Sequence, residues 1–352
     1  MLPLQAVTPD ALATACGLQL AEARKVVAAV HRGEPIEAAQ GVRRVALDAV
    51  RARGSVPSLE VRSVVRSALD PFVKLALGTA DGHVIETVRI PLERAGRFSA
   101  CVSSQAGCAL ACAFCATGRL GLARNLETWE IVEQVRLVRG TLESRRTQRV
   151  HGVVFQGMGE PLANVDRVIE AIRVLCDPSA MAIDARAMTV CTSGLPTGIR
   201  RLARELPKVR LGLSIASARP EVRRTLMPID AAHPLDEVLD AAEEHARLTG
   251  LAPMWAVTPL SGVSDTDDDA RALAERLRRF ESRAGVRPRL SVVPYNAIDV
   301  AGADPFERGD VARFVASLAE HGVRAHLRYS GGSDVAAACG QLAGRSQAAP
   351  AT

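Results

Sequence analysis

The chain has 352 residues, of which 48% are hydrophobic and 24% charged, and its formal net charge is +5. This is the ordinary balance of a globular protein that can bury a sizeable core, and the mildly basic charge permits RNA binding without requiring it. No apolar run approaches the roughly 18–20 residues that span a bilayer and no signal peptide is visible, which excludes a membrane-spanning protein and predicts a cytoplasmic one.

Residues 1–80 are predicted to form a small, mostly helical N-terminal domain. Short helical stretches rich in Ala and Val cover residues 22–30, 36–39 and 42–52. A turn at 79–82 follows, and residues 84–90 then alternate as a strand does.

From about residue 97 onward, strands and helices alternate. The predicted strands cover residues 98–102, 152–155, 188–192, 210–215, 254–258, 290–293 and 323–327. The predicted helices between them cover 128–139, 165–175, 235–248, 267–280 and 305–321. Alternation of this kind indicates βαβ units and a parallel sheet. We therefore predict an α/β fold for residues 81–345, a partial parallel (β/α)6 barrel, followed by a disordered tail at 346–352.

Three closely spaced cysteines follow the strand at 98–102. Cys108, Cys112 and Cys115 form a Cx3Cx2C loop. Cytoplasmic cysteines are thiols, metal ligands or catalytic groups rather than structural disulfides. Iron–sulfur clusters are held by Cys thiolates, and three of them leave the fourth iron of a [4Fe–4S] cluster open to substrate. The alternatives are a structural zinc site, which would take four ligands, and a trio of buried thiols.

This loop, in front of a parallel barrel, resembles that of the radical S-adenosylmethionine (SAM) superfamily. Within that superfamily, the chain resembles the RlmN/Cfr family of RNA methyltransferases. This resemblance covers about residues 22 to 342. The motifs that carry it are Glu86-Thr-Val, Cys101-Val-Ser-Ser-Gln, Gly118-Arg-Leu-Gly-Leu-Ala-Arg-Asn-Leu, Gly157-Met-Gly-Glu-Pro-Leu-Ala-Asn, Leu226-Met-Pro-Ile, Pro294-Tyr-Asn and Ala338-Cys-Gly-Gln-Leu.

The resemblance implies roles for two further cysteines and one carboxylate. Cys339 matches the cysteine that a first SAM methylates, and a second SAM then supplies the radical that activates this methyl group, so two SAM are used per turnover. Cys101 matches the cysteine that resolves the covalent RNA adduct through a transient disulfide. Glu86 matches the residue assigned as proton acceptor. Without the resemblance, all three would be assigned to core or strand positions.

SAM contacts are implied at the carboxyl ends of several strands: Gly159, Glu160, Cys191, Ser214, Ile215, Ala216 and Asn296. The chain departs from the family here. The family usually has Ser-Leu-His-Ala where this chain has Ser214-Ile-Ala-Ser, and a Ser-Thr turn where it has Cys191-Thr192. The Arg-Gly-Asp-Asp that usually precedes the methylated cysteine is also replaced, by Ser330-Gly-Gly-Ser-Asp.

The sequence thus predicts an enzyme that methylates C2 of an adenosine in 23S rRNA, with tRNA as a further substrate. The alternatives are methylation at C8 of the same adenosine, and a divergent paralogue with another acceptor. A third alternative is a non-enzymatic RNA-binding protein with a structural metal site. The expected partners are RNA and a flavodoxin-like or ferredoxin-like electron donor, and the expected state is a monomer.

Overall fold

The computed structural model describes residues 1–298 and 304–343, so the predicted tail at 346–352 lies outside the described residues. Its α-helices are α1 (Pro9–Cys16), α2 (Leu20–Arg32), α3 (Arg44–Arg53), α4 (Thr128–Gly140), α5 (Val165–Cys176), α6 (Pro196–Glu205), α7 (Pro220–Leu226), α8 (Leu235–Thr249), α9 (Asp267–Ala284) and α10 (Val311–Glu320). Its strands are β1 (Leu2–Pro3), β2 (Gly54–Ser55), β3 (Glu60–Arg66), β4 (Val73–Gly78), β5 (Val84–Pro91), β6 (Arg97–Val102), β7 (Gln105–Gly107), β8 (Leu122–Asn125), β9 (Arg149–Phe155), β10 (Met188–Thr192), β11 (Arg210–Ser214), β12 (Met254–Val257), β13 (Arg289–Val292) and β14 (Ala325–Leu327).

A ten-stranded sheet forms the centre of the molecule, with the strand order β14-β13-β12-β11-β10-β9-β6-β5-β4-β3. All neighbours from β6 to β14 pair in parallel, whereas β3, β4 and β5 extend the sheet in antiparallel pairs. Residues that follow β9, β10, β11, β12 and β13 line one cavity, so the parallel part curves as a partial barrel does. The predicted α/β fold with a parallel barrel sheet is confirmed.

The helices between the strands pack on the outer face of this sheet and on one another, as α6 does with α8 and α9 with α10. The core between helices and sheet is mainly aliphatic, with Trp255 and Phe280 packed edge to face at 5.4 Å between ring centroids. Across the described residues, no helix combines the length and apolarity needed to traverse a lipid bilayer.

The N-terminal helices α1, α2 and α3 enclose a separate small core that includes Leu12, Val26 and Val50. The glycines that follow α1 and α2 end these helices, since both take the left-handed conformation that favours glycine. The helical part stops at Arg53. Strands β3 and β4, which lie within the predicted N-terminal domain, extend the central sheet, since β3 pairs with β4 and β4 pairs with β5.

The last helix is shorter than predicted. The sequence predicts a helix over 305–321, but α10 begins at Val311. The chain just before α10 is held in another conformation by Asp304. The Asp304 carboxylate accepts hydrogen bonds from the Tyr295 hydroxyl at 2.7 Å and from the backbone N–H of Phe306 at 3.2 Å. Asp310 then caps α10 by accepting the N–H of Arg313.

Candidate active site at the carboxyl ends of the strands

The cysteine loop begins in a short hairpin, β7–β8, at the carboxyl end of β6. The backbone N–H of Cys108 donates to the carbonyl of Gly121 at 2.8 Å. Gly107 has a φ of 79°, and a Cβ there would lie 1.9 Å from that same carbonyl, so only glycine fits. The hairpin therefore fixes where the cysteine loop leaves the sheet.

The far end of the loop is fastened to the segment that carries Cys339. The N–H of Ala116 donates to the carbonyl of Gly340 at 2.8 Å, and the Thr117 hydroxyl donates to the carbonyl of Leu342 at 2.6 Å. Two segments more than 200 positions apart in sequence are thus held side by side.

Cys108, Cys112 and Cys115 line one cavity at the carboxyl ends of the strands. Burial, together with negative charge on the neighbouring cysteines, raises the pKa of the Cys108 thiol to about 11 and that of Cys112 to about 12. Three thiolates at this place would need a compensating cation. A [4Fe–4S] cluster fits this donor set, because its irons are held by cysteine thiolates.

Within residues 1–298 and 304–343, no three Cys, His, Asp or Glu side chains converge on one point where a single metal ion could bind. A closed zinc site requires four ligands around one ion. In a cubane, by contrast, each cysteine ligates a separate iron.

The loop after β9 brings Gly159 and Glu160 to the same cavity. Gly159 has a φ of 93°, and a Cβ there would lie 2.4 Å from the side chain of Gln105. The buried Glu160 carboxylate accepts the N–H groups of Ser193 at 2.8 Å and Leu162 at 3.0 Å. Burial raises the pKa of this carboxyl, and both N–H groups oppose that effect.

The residues at the end of β11 divide between cavity and core. Ser214 and Ala216 line the cavity, and Ala216 takes a left-handed φ of 58°. Ile215 packs into the main core instead, and its N–H donates to the carbonyl of Ala256. The side chain of Ile215, which the sequence predicts to contact SAM, therefore does not line this cavity.

A second cavity adjoins the first and contains Cys101. Cys339 lines both cavities, as do Cys115, Gln156, Gly157, Thr117 and Gly340. Cys191 lines the first cavity, and its sulfur lies over Gly212, where a Cβ would approach it to 2.8 Å. The cluster cysteines and both proposed catalytic cysteines therefore meet at one end of the barrel.

Asn296, four residues after the end of β13, contacts the segment that carries Cys339. Its side-chain amide donates to the Cys339 carbonyl at 3.2 Å and to the Ser330 hydroxyl at 2.8 Å. It also lines the first cavity. Asn296, which the sequence predicts to contact SAM, therefore also contacts the segment that carries Cys339.

Glu86 lies beside this segment rather than in the lining of either cavity. Its carboxylate pairs with the buried ammonium of Lys74 at 2.9 Å and accepts the N–H of Ala343 at 2.7 Å. Lys74 in turn donates to the carbonyl of Ala336 at 3.3 Å. The pair therefore supports the chain on both sides of Cys339.

Comparison with known proteins places these features in a family. Residues 102–277 match the Radical SAM superfamily. The crystal structure of a radical SAM methyltransferase from Sphaerobacter thermophilus superposes with a TM-score of 0.86 and 31% identity, covering 98% of this chain and 100% of that one. The fold and the cysteine loop are those of that superfamily.

The relatives in sequence are RNA methyltransferases. A "probable RNA methyltransferase" of Sorangium cellulosum is 59% identical over 95% of this chain and 90% of its own length. The "probable dual-specificity RNA methyltransferase RlmN" of Moorella thermoacetica is 37% identical over 89% of this chain and 87% of its own length. The chain belongs to the RlmN-type radical SAM RNA methyltransferases. This family uses a [4Fe–4S] cluster and SAM, and the non-enzymatic alternative is not supported.

Three residues of this RlmN-type site were not predicted from the sequence: Lys74, Arg223 and Arg328. Arg223 is fully buried, pairs with Asp230 at 2.9 Å, and donates to the carbonyls of Ser214, Ile215 and Ser193. It thereby joins the ends of β10 and β11. The sequence feature that could have pointed to Arg223 is its position just before the Leu226-Met-Pro-Ile motif.

Proposed function

We propose that this enzyme methylates C2 of an adenosine in 23S rRNA, with tRNA as a further substrate, through an S-methyl group on Cys339. The observation that carries the proposal is that Cys339 lines both cavities: the first contains all three cluster cysteines and the proposed SAM-binding residues, and the second contains Cys101. A cysteine that receives a methyl group from SAM and passes it to RNA needs access to both cavities.

The cluster and SAM, when bound, supply a 5′-deoxyadenosyl radical. Cys108, Cys112 and Cys115 would hold the cluster, while Gly159, Glu160, Ser214 and Asn296 would hold SAM. We propose two SAM per turnover, since one must methylate Cys339 and another must activate that methyl group. Glu160 is buried and retains free lone pairs for an ammonium group beside the two N–H groups that it accepts.

The resolving step uses this chain's own thiols. Cys101 attacks the Cys339 sulfur, so that an S–S bond forms while the bond between that sulfur and the transferred carbon breaks. The base gains a methyl group as it loses one proton and also one electron, which the oxidised cluster would take up when bound, and an external dithiol reductant then restores the two thiols. We propose that Glu86, which is ion-paired with Lys74, accepts the proton.

Regiochemistry depends on how the base enters the second cavity, and C8 methylation remains the alternative. Ala216 and Cys191 line the SAM side in place of the family's usual His and Ser, which favours a divergent paralogue as the next alternative. For partners, we propose a flavodoxin-like or ferredoxin-like electron donor and a monomeric, cytoplasmic enzyme.

The roles of the two proposed catalytic cysteines are tested by replacing each one, because each replacement should block a different step. Cys339→Ala removes the carrier, so neither methylated protein nor a covalent RNA adduct is expected. Cys101→Ala leaves methylation and radical addition intact but blocks release, so RNA should accumulate on Cys339. The half-buried Cys176→Ala is the control, because it lies outside both cavities and should behave as wild type.

Denaturing gels with and without ribonuclease reveal the adduct. If the Cys101→Ala protein migrates identically in both lanes while it still cleaves SAM, the two-cysteine mechanism is wrong. Mass spectrometry of RNA from a strain lacking the enzyme then identifies the target. A lost 2-methyladenosine supports the proposal, whereas a lost 8-methyladenosine supports the alternative.

A further inference from the structure

Arg328 lies at the mouth of the barrel among cysteines rather than among carboxylates. It follows β14 directly and lines the second cavity together with Cys101 and Cys339. Its guanidinium donates to the side-chain carbonyl of Gln156 at 3.1 Å. In the part of the chain that the structure describes, no carboxylate pairs with Arg328. A guanidinium inside a protein ordinarily has an anionic partner.

The anions available to this guanidinium are thiolates. As thiolates, Cys339, Cys191 and Cys101 raise the pKa of Arg328, and the cation in turn lowers the pKa of Cys101 and of Cys191. Burial nonetheless dominates, and it raises the pKa of Cys101 to about 12. Cys101 is therefore a thiol at rest, and its reaction as a nucleophile needs help.

The other groups around Cys101 offer little help. Negative charge on Cys339 or Cys191 would raise the pKa of Cys101, whereas the backbone N–H of Gln156 lowers it. On the adjacent strand β5, the carboxylate of Glu86 is occupied by Lys74. Arg328 is a cation that lowers the pKa of this thiol.

We propose that Arg328 is a positioning residue whose guanidinium, held by Gln156, stabilises the negative charge on Cys101 while it attacks the Cys339 sulfur. The proposal rests on the proposed function for the identity of that step. The thiolate, not the thiol, is the nucleophile, so a nearby cation raises the reactive fraction. Gln156 matters because it directly follows β9 and fixes the guanidinium against the cavity wall.

The first test needs neither RNA nor SAM. The anaerobic protein is treated with methyl methanethiosulfonate between pH 7 and 10, and labelling of Cys101 is followed by peptide mass spectrometry. Arg328→Gln should slow labelling of Cys101 about tenfold at a given pH, which corresponds to a pKa rise of about one unit. Arg328→Lys, which keeps a positive charge, should recover part of the rate. Arg324→Gln is the control, because this exposed arginine precedes β14 and lies outside both cavities.

Equal labelling rates in Arg328→Gln and Arg324→Gln, at equal melting temperatures, would overturn the proposal. So would a wild-type Cys101 that stays unlabelled up to pH 10. If Arg328→Gln does not fold, Arg328→Lys and Gln156→Leu give the same comparison.

The second test follows the RNA adduct. In Arg328→Gln the adduct should persist longer than in wild type, and raising the pH should shorten its lifetime, because the thiolate fraction of Cys101 rises. In Cys101→Ala no pH should release it. An adduct that decays in Arg328→Gln as in wild type at every pH contradicts the inference. Absence of any adduct in Cys101→Ala contradicts the proposed function instead, while the labelling result still decides the role of Arg328.

Discussion

Lys74 and Glu86 are 4% and 1% exposed, and they lie at 2.9 Å from each other beneath the Cys339 segment. Removal of one partner from a buried ion pair leaves an uncompensated charge, which is more destabilising than removal of both. The carboxylate that the family resemblance assigns to proton transfer is therefore also a structural residue.

We expect Lys74→Met to lower the free energy of unfolding by about 3–5 kcal/mol, because Glu86 loses its cation. Glu86→Gln should also destabilise, and the double variant should lose clearly less than the sum of the two. Denaturant unfolding of the four proteins measures this coupling, with the exposed Lys208→Met as control. Additive losses would show that the two side chains do not act as a pair.

Arg43 and Arg44 show how adjacent residues of the same type differ in role. Arg43 donates to both oxygens of the buried Glu22, which lowers the pKa of that carboxyl to about 2. No ion pair forms at Arg44 among the residues that the structure describes. The first arginine stabilises α2 and the second is available to a partner.

The acid stability of the N-terminal helices should reflect Glu22. Its folded-state pKa is depressed, so its contribution to stability is present above its ordinary pKa of 4.5 and is lost as the pH falls toward 2. Helix content followed by circular dichroism should fall in that window. Arg43→Gln should weaken this pH dependence, because only the backbone N–H groups of Gln19 and Arg43 then remain on the carboxylate, whereas Arg44→Gln should retain it in full.

At the scale of elements, the cysteine loop depends on close backbone approach. A Cβ at Gly118 would lie 2.9 Å from the backbone nitrogen of Cys112 and 3.0 Å from its carbonyl oxygen. Gly140, at the end of α4, has no atom within 4 Å of the same position. Comparing alanine substitutions at the two glycines therefore distinguishes a packing requirement at Gly118 from a general effect of replacing glycine.

Gly118→Ala should distort the loop at a cost of about 1–3 kcal/mol, because an added methyl group overpacks it. We expect less bound iron per chain and weaker absorbance near 400 nm after anaerobic reconstitution. Gly140→Ala should bind iron as wild type does. Full iron content in Gly118→Ala would mean that the cluster tolerates a displaced Cys112.

For the whole molecule, two stretches of the sequence are rich in arginine, residues 43–53 and 200–210, and several of their arginines pair with acids. Arg51 contacts Glu37 and Asp48, and Arg200 contacts Glu244. A protein surface whose arginines are paired with acids attracts phosphates less than the count of arginines suggests. RNA binding should therefore depend on the arginines that lack such partners.

Affinity for RNA should fall with salt, as release of counterions requires. Arg44→Gln should weaken binding and reduce the slope of log affinity against log salt by about 1, if this residue contacts a phosphate. Arg186→Gln is the control, because Arg186 already pairs with Asp184 at 2.7 Å. Filter binding at several salt concentrations measures both. An unchanged slope for Arg44→Gln places the RNA elsewhere on the surface.

The sequence by itself determined the fold class, the cysteine loop and the family. Alternation of strands and helices is a local pattern, and Cx3Cx2C is a spacing within eight residues, from Cys108 to Cys115, so both can be identified without coordinates. Tertiary structure decided what depends on contacts between distant segments. The pairing of Lys74 with Glu86, the placement of Arg328 beside Cys101, and the position of Cys339 on two cavities all join parts of the chain with no common pattern. The same holds for the early strands β3 and β4, because strand pairing partners are chosen by the sheet as a whole.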